Sequence, residues 1–169
     1  LVHIMHSTMP TPILYLDLQP RNLLLCENTI KLIDFDHAVY ADEAEHMEER
    51  YGTIGCAAPE QYSGDVLDGR TDIYAIGAVL HYMLTGHFPG ERIRTGQAEL
   101  SGITERHLMC VIRKCLQKEK DKRFQTVAEL EQSLKELWSQ SEYGVFRYGT
   151  KRMEKSLVIA VAGSRHGVG

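Results

Sequence analysis

Three stretches of the chain carry apolar residues at helical spacing. The middle one runs from about Asp72 to Leu84 and reads Ile73-Tyr74-Ala75-Ile76-Gly77-Ala78-Val79-Leu80, apolar nearly all round. A helix of that kind is buried in the middle of a domain. Thr71 suits its N-cap, Asp72 suits the first turn, and Gly86 with Pro89 marks the stop. A second helix is predicted over Thr104 to Gln117, with Leu108, Val111, Ile112 and Cys115 on one face. A third is predicted over Thr126 to Trp138, with Val127, Leu130, Leu134 and Leu137 aligned and Thr126 as its cap.

The N-terminal part has a different pattern. Leu1 to Thr8 resembles the end of a helix, which Pro10 and Pro12 terminate. Ile13-Leu14-Tyr15-Leu16 is a short apolar run leading into Asp17. Asn22 to Cys26 and Thr29 to Phe35 read as two short strands joined at Glu27-Asn28, a tight turn that lacks the strong Asn-Gly signal. Ala41 to Arg50 is acidic and polar, either a solvated helix or a loop. Ser139 to Lys155 loses periodicity and reads as a linker. Ser156 to Ala162 is then a β-rich apolar run of the buried type, ending in the glycine-rich Gly163 to Gly169. Strands come first and helices follow, an α+β order.

Composition narrows the class. The 169 residues are 43% hydrophobic and 25% charged, as in ordinary globular protein, and suffice for one core. A net charge of -4 gives no basic footprint, so nucleic acid is not an expected partner. No apolar run reaches membrane-spanning length, and the N-terminus has neither the basic flank nor the apolar core of a signal peptide. With no Met at position 1, the chain is expected to start inside a domain. Cys26, Cys56, Cys110 and Cys115 form no C-x-x-C pair and read as reduced structural thiols of a cytoplasmic protein. His3 and His6 can share a helix face, but no third ligand is near them in the sequence.

The candidate chemistry begins at Asp17, in Tyr15-Leu16-Asp17-Leu18-Gln19-Pro20-Arg21-Asn22. A carboxylate on a loop before a strand can accept a proton from a hydroxyl nucleophile. The amide oxygen of Asn22 can ligate a divalent metal. Asp34, in Ile33-Asp34-Phe35-Asp36, offers a second hard oxygen of the kind magnesium takes. Alone, the spacing of Asp17 and Asn22 also fits a solvated loop.

With the later motifs added, residues 1 to 138 resemble the protein kinases. Tyr15 to Asn22 resembles the catalytic loop (H-R-D-L-K-P-E-N), Asp34-Phe35-Asp36 resembles D-F-G, and Gly52 to Glu60 resembles the end of the activation segment, G-T-x-G-Y-x-A-P-E. Asp72 to Gly77 resembles the start of the family's central buried helix, and Arg123 matches the arginine that pairs with the A-P-E glutamate. The wording from Ala58 to Tyr62 is most similar to bacterial serine/threonine kinases. The resemblance implies a mainly helical kinase C-lobe with short β-hairpins, ATP and Mg2+ as cofactors, and a protein substrate bearing a Ser or Thr hydroxyl. It implies Asp17 as base, with Gln19 beside it in the catalytic set. Asn22 and Asp34 would hold magnesium against the phosphates, Thr53 would lie under the substrate hydroxyl, and Glu60, Asp72 and Arg123 would be structural.

Four departures qualify that expectation. Leu16 stands where most kinases have an arginine that anchors a phosphorylated loop, so phosphate on Tyr40, Tyr51 or Thr53 has no obvious cationic partner. Gln19 replaces lysine and brings a hydrogen bond without charge, an expected loss of roughly 10²–10³ in rate. Asp36 replaces the glycine of D-F-G, and Cys56 replaces an aromatic residue. The glycine-rich loop, strand lysine and hinge of the family are not among these residues, so the isolated chain is expected to phosphorylate inefficiently. Ser164 to Gly169 resembles the start of a ParA/MinD-type phosphate loop, with Arg165 near the signature lysine. The domain reading is therefore 1–138 kinase C-lobe, 139–155 linker and 156–169 P-loop start. A pseudokinase serving as a regulatory module remains the alternative.

Overall fold

The apolar run in the middle of the chain forms the long helix on which the other elements pack. In the computed structural model, which describes residues 1–27, 29–44, 46–47, 51–89 and 106–140, the element order is α1 (Val2–His6), β1 (Ile13–Leu14), β2 (Leu23–Cys26), β3 (Thr29–Leu32), β4 (Val39–Tyr40), α2 (Ala41–Ala44), α3 (Glu60–Ser63), α4 (Gly69–Thr85), α5 (Arg106–Cys115) and α6 (Val127–Gln140). Of the linker expected over 139–155, residues 139 and 140 belong to α6, while the rest of it and the P-loop start expected over 156–169 lie outside the described residues.

Helix α4 begins earlier than Thr71 predicts. Asp68 is its N-cap: its side chain accepts the Arg70 N–H at 2.8 Å, and the Asp68 N–H is received by the Thr71 hydroxyl at 3.3 Å. Thr71 is therefore the third helical residue of a capping box and not the cap. Asp68 outcompetes it because a carboxylate at that position also receives the Arg70 guanidinium and the Lys120 ammonium. Burial alone would push the Asp68 carboxyl up, but those donors hold it down at about 2.

Ile73, Tyr74, Ala75, Ala78, Val79 and Leu84 of α4 are buried against Leu108, Ile112 and Cys115 of α5 and Leu130 of α6. Each large aliphatic side chain so buried contributes about 1.5–3 kcal/mol. The α4–α5 crossing is close because of Gly77, where an added Cβ would stand 2.4 Å from the Cys115 Cβ. Among the described residues, no helix is long and apolar enough to cross a membrane. The four cysteines are free thiols, and burial pushes Cys115 up to about 12.

Two small sheets lie beside the helices. Strands β2 and β3 pair antiparallel from Leu23↔Leu32 to Cys26↔Thr29, and Glu27 takes a left-handed φ of 53°. A positive φ is what a tight hairpin turn demands, and here it is met without the Asn-Gly pair. The second strand stops at Leu32, short of Phe35, because the backbone turns at Asp34, with φ 64°. Strand β1 pairs with β4 through Ile13↔Tyr40 and Leu14↔Val39, a contact too short to be read as periodicity. The acidic segment starts as the single-turn α2, attached where the Ala41 N–H donates to the Pro12 carbonyl at 2.9 Å.

Arg123 ties the second half of this frame together. Its Nη1 and Nη2 donate to Glu60 Oε1 and Oε2 at 2.6 and 2.8 Å, and both residues are nearly sealed from water, at 2% and 3% exposure. Its remaining donors reach the carbonyls of Arg70, Gln117 and Lys118. Arg123→Ala strands a buried carboxylate and is expected to destabilise the fold by roughly 3–5 kcal/mol in a urea melt. Asp68 has a depressed folded pKa, so its contribution is complete above the ordinary carboxylate range and is lost as pH falls toward about 2. In Asp68→Ala the acid limb of a stability–pH curve should accordingly be shallower than in the native chain.

Candidate active site

The apolar run before Asp17 is held by its backbone. The Tyr15 and Leu16 N–H groups donate to Asp72 Oδ2 and Oδ1 at 2.9 and 2.8 Å. His6 Nε2 lies 2.8 Å from the same Oδ2, and Asp72 is fully buried at 0% exposure. This bridge clamps α1, the loop and α4. It permits Leu16 a left-handed φ of 63°, which costs a β-carbon residue on the order of 1–3 kcal/mol. His3 turns instead to Glu131 on α6, at 2.7 Å.

Past Leu16 the chain reverses and passes through a single 3₁₀ turn, Pro20–Asn22, where proline suits the first helical position. Asp17, Gln19 and Asn22 are thereby folded onto one another. Gln19 Nε2 donates to Asp17 Oδ2 at 2.9 Å, and Asn22 Nδ2 donates to the same oxygen at 3.0 Å and to the Asp17 carbonyl at 2.9 Å. Thr53, remote in sequence, donates its hydroxyl to Asp17 Oδ1 at 2.7 Å. Four of the residues singled out in the sequence, Asp17, Gln19, Asn22 and Thr53, therefore meet at one carboxylate.

Asp34 joins the same region from the end of the hairpin. The Tyr15 hydroxyl donates to the Ile33 carbonyl at 2.5 Å. Burial pushes Tyr15 up to about 12, against a hydrogen bond from Asn22, and the nearby Asp17, Asp34 and Asp72 charges add to the rise. Phe35 meets the Tyr15 ring edge-on at 5.5 Å. Asp36 is exposed, and His37 after it stacks on Tyr51 at 4.7 Å. Among the described residues no three His, Cys, Asp or Glu side chains form a ready-made metal cage. Asn22 and Asp34 offer two hard oxygens. That donor set fits Mg2+, which takes one or two protein oxygens and completes its octahedron with phosphates and water.

The segment carrying Thr53 is itself positioned by turns and caps. The N–H groups of Cys56 and Ala57 both donate to the Thr53 carbonyl at 2.9 Å. Cys56 is buried, and burial with the Asp17 charge pushes its thiol up to about 12. Glu60 lies away from Asp17, in the ion pair with Arg123, and accepts the Thr71 hydroxyl at 3.0 Å. Sequence reasoning missed Tyr15, whose hydroxyl pins Ile33, and Gln61, whose amide lies between the loop and the Thr53 segment. No local spacing marks either of them. Leu16 is 5% exposed and packs in a small apolar cluster with Leu14, Ala44 and Leu67, flanked by Val39, Ala41 and Met47.

The chain is similar to known proteins. The model of the protein kinase domain matches residues 2–142. Serine/threonine-protein kinase A of Synechocystis is 36% identical over 85 residues, covering 46% of this chain and 16% of that protein. Serine/threonine-protein kinase PknB of Mycobacterium tuberculosis is 32% identical over 144 residues, covering 72% of this chain and 22% of that protein. A probable serine/threonine-protein kinase PknB of Bifidobacterium longum is 38% identical over 82 residues, 46% of this chain and 12% of its own. The chain thus spans under a quarter of the length of these relatives.

Leu16 holds the segment that follows β4 by packing in one apolar cluster with Ala44, against which Val39, Ala41 and Met47 also pack. Leu16→Ala should cost roughly 2–5 kcal/mol and should speed limited proteolysis near Ala44 and Met47. Native cleavage kinetics in that variant would contradict the packing role.

Proposed function

The chain belongs to the protein kinase family, and on that premise we propose that it supplies the catalytic half of a serine/threonine protein kinase acting with ATP and Mg2+ on a protein hydroxyl. Residues 1–138 are read as the mainly helical lower lobe, of the kind found in bacterial serine/threonine kinases. Residues 139–155 are read as a linker and 156–169 as the start of a ParA/MinD-like P-loop domain. Asp17 is the base, Asn22 and Asp34 are the magnesium ligands, and Thr53 is the floor beneath the incoming hydroxyl.

One observation carries this reading: the donors converge on Asp17. A carboxylate offers roughly four acceptor sites. Gln19 and Asn22 occupy Oδ2, and Thr53 occupies one site on Oδ1. The site left on Oδ1, beside the Thr53 hydroxyl, suits a substrate Ser or Thr hydroxyl. There the carboxylate would accept the proton as that oxygen bonds to the γ-phosphorus of ATP and the bond from that phosphorus to the leaving ADP oxygen breaks. Asn22 is held rigid by its two donations to Asp17, so its amide oxygen is the atom it offers to a cation. When bound, Mg-ATP provides the phosphoryl group and a cation that offsets the charge on its phosphates. Gln19, in the lysine's place, donates one N–H to the base and is neutral, so charge stabilisation from that position is missing.

The test is ATP-dependent phosphorylation by the complete natural protein that carries this chain, with and without Asp17→Asn. The substitution preserves shape but removes the proton acceptor, and the rate should fall about 10²–10⁴-fold. Equal rates would exclude Asp17 as base and favour the pseudokinase.

A further inference from the structure

The buried amide of Gln61 has no role in the reading above, yet it touches both halves of the site. Gln61 is 3% exposed at the start of α3. Its Oε1 accepts the Ala58 N–H at 2.9 Å, and its Nε2 donates to the Leu16 carbonyl at 2.9 Å and the Tyr51 carbonyl at 2.8 Å. A primary amide has two N–H donors and a carbonyl, and here all three directions are used.

Both carbonyls are special. Leu16 immediately precedes Asp17 and has a left-handed φ of 63°, and its carbonyl accepts from Gln61 Nε2. Tyr51 lies just before Gly52 and Thr53. At Gly52 an added Cβ would stand 2.4 Å from the Ala57 Cβ and 3.4 Å from Gln61 Nε2, so the backbone passes directly over the amide. One side chain thus fixes the spacing between the strand of chain that ends in Asp17 and the one that ends in Thr53. Their side chains meet at 2.7 Å.

We propose that Gln61 is a positioning residue for the phosphoryl-transfer site: its amide cross-links the Leu16 and Tyr51 carbonyls and so sets Thr53 against the Asp17 carboxylate. This rests on the kinase reading. Other side chains of similar size do not substitute. Methionine fills the space without donors, and a glutamate carboxylate keeps the Ala58 contact but faces two carbonyl oxygens with negative charge.

The experiment uses Gln61→Met and Gln61→Glu in the complete natural protein, with hydrogen exchange, thermal melting and transfer kinetics. Amides between Tyr51 and Ala58 should exchange faster in both variants while the melting transition stays cooperative. The misplaced hydroxyl and base should lower kcat by roughly 10²-fold, with the KM for ATP changed by less than about twofold. Combining Gln61→Met with Thr53→Val should lower kcat no further than the larger single effect, since both act on one contact. Native exchange and native kcat would overturn the proposal. So would a kcat loss that only tracks the unfolded fraction, multiplicative effects in the double variant, or failure of both variants to fold, each of which marks Gln61 as plain core. If the native protein shows no Asp17-dependent transfer, the kinase reading fails, and the exchange measurement still decides whether the amide clamp exists.

Discussion

The carboxylate of Asp72 is the constraint on which the rest of the site depends. It sits on α4, the most buried helix, with no access to water, and its oxygens take the Tyr15 and Leu16 N–H groups and face His6. A buried carboxylate is tolerated only when its acceptor sites are filled. Here the donors come from the loop itself, so the requirement to satisfy Asp72 becomes a requirement on loop shape. The strained turn at Leu16 is held by these bonds, and Asp17 is presented by that turn.

A second buried charge does similar work one residue along α4, where Thr71 donates to Glu60. Arg123 and Glu60 form a two-pronged pair, and Arg123 also takes three backbone carbonyls while its guanidinium lies 5.0 Å from the Tyr74 ring. The planar fork fits a carboxylate and several carbonyls at once, which an ammonium cannot do. α3, the start of α4 and the turn before α6 are thereby held together, and α3 carries Gln61 next to Glu60. Leu16, just before Asp17, is itself held in an apolar cluster with Leu14, Ala44 and Leu67.

How much was legible depended on whether a residue's role is local. Helix positions followed from periodicity within a few residues, because burial of one face is written into spacing. The cap of α4 did not, since Asp68 wins over Thr71 through Arg70 and Lys120, and the Lys120 contact is remote in sequence. The β1–β4 pairing was invisible because two residues a side leave no period. Tyr15 and Gln61 were missed for the same reason: their partners are carbonyls, and every residue has one.

The sequence by itself determined which chemical groups are present and in what order: a carboxylate and an amide on one short loop, a second carboxylate after the hairpin, a threonine and a glutamate further on, and an arginine beyond the buried helix. Order and residue type are enough for family resemblance, because the chemistry limits which groups can serve. Only the tertiary structure decided which of them touch. That Thr53 meets Asp17, that Asp72 holds the loop and that Gln61 spans two carbonyls are consequences of closing long loops around a packed helix. Such contacts depend on distances of a few tenths of an ångström, which no one-dimensional pattern encodes.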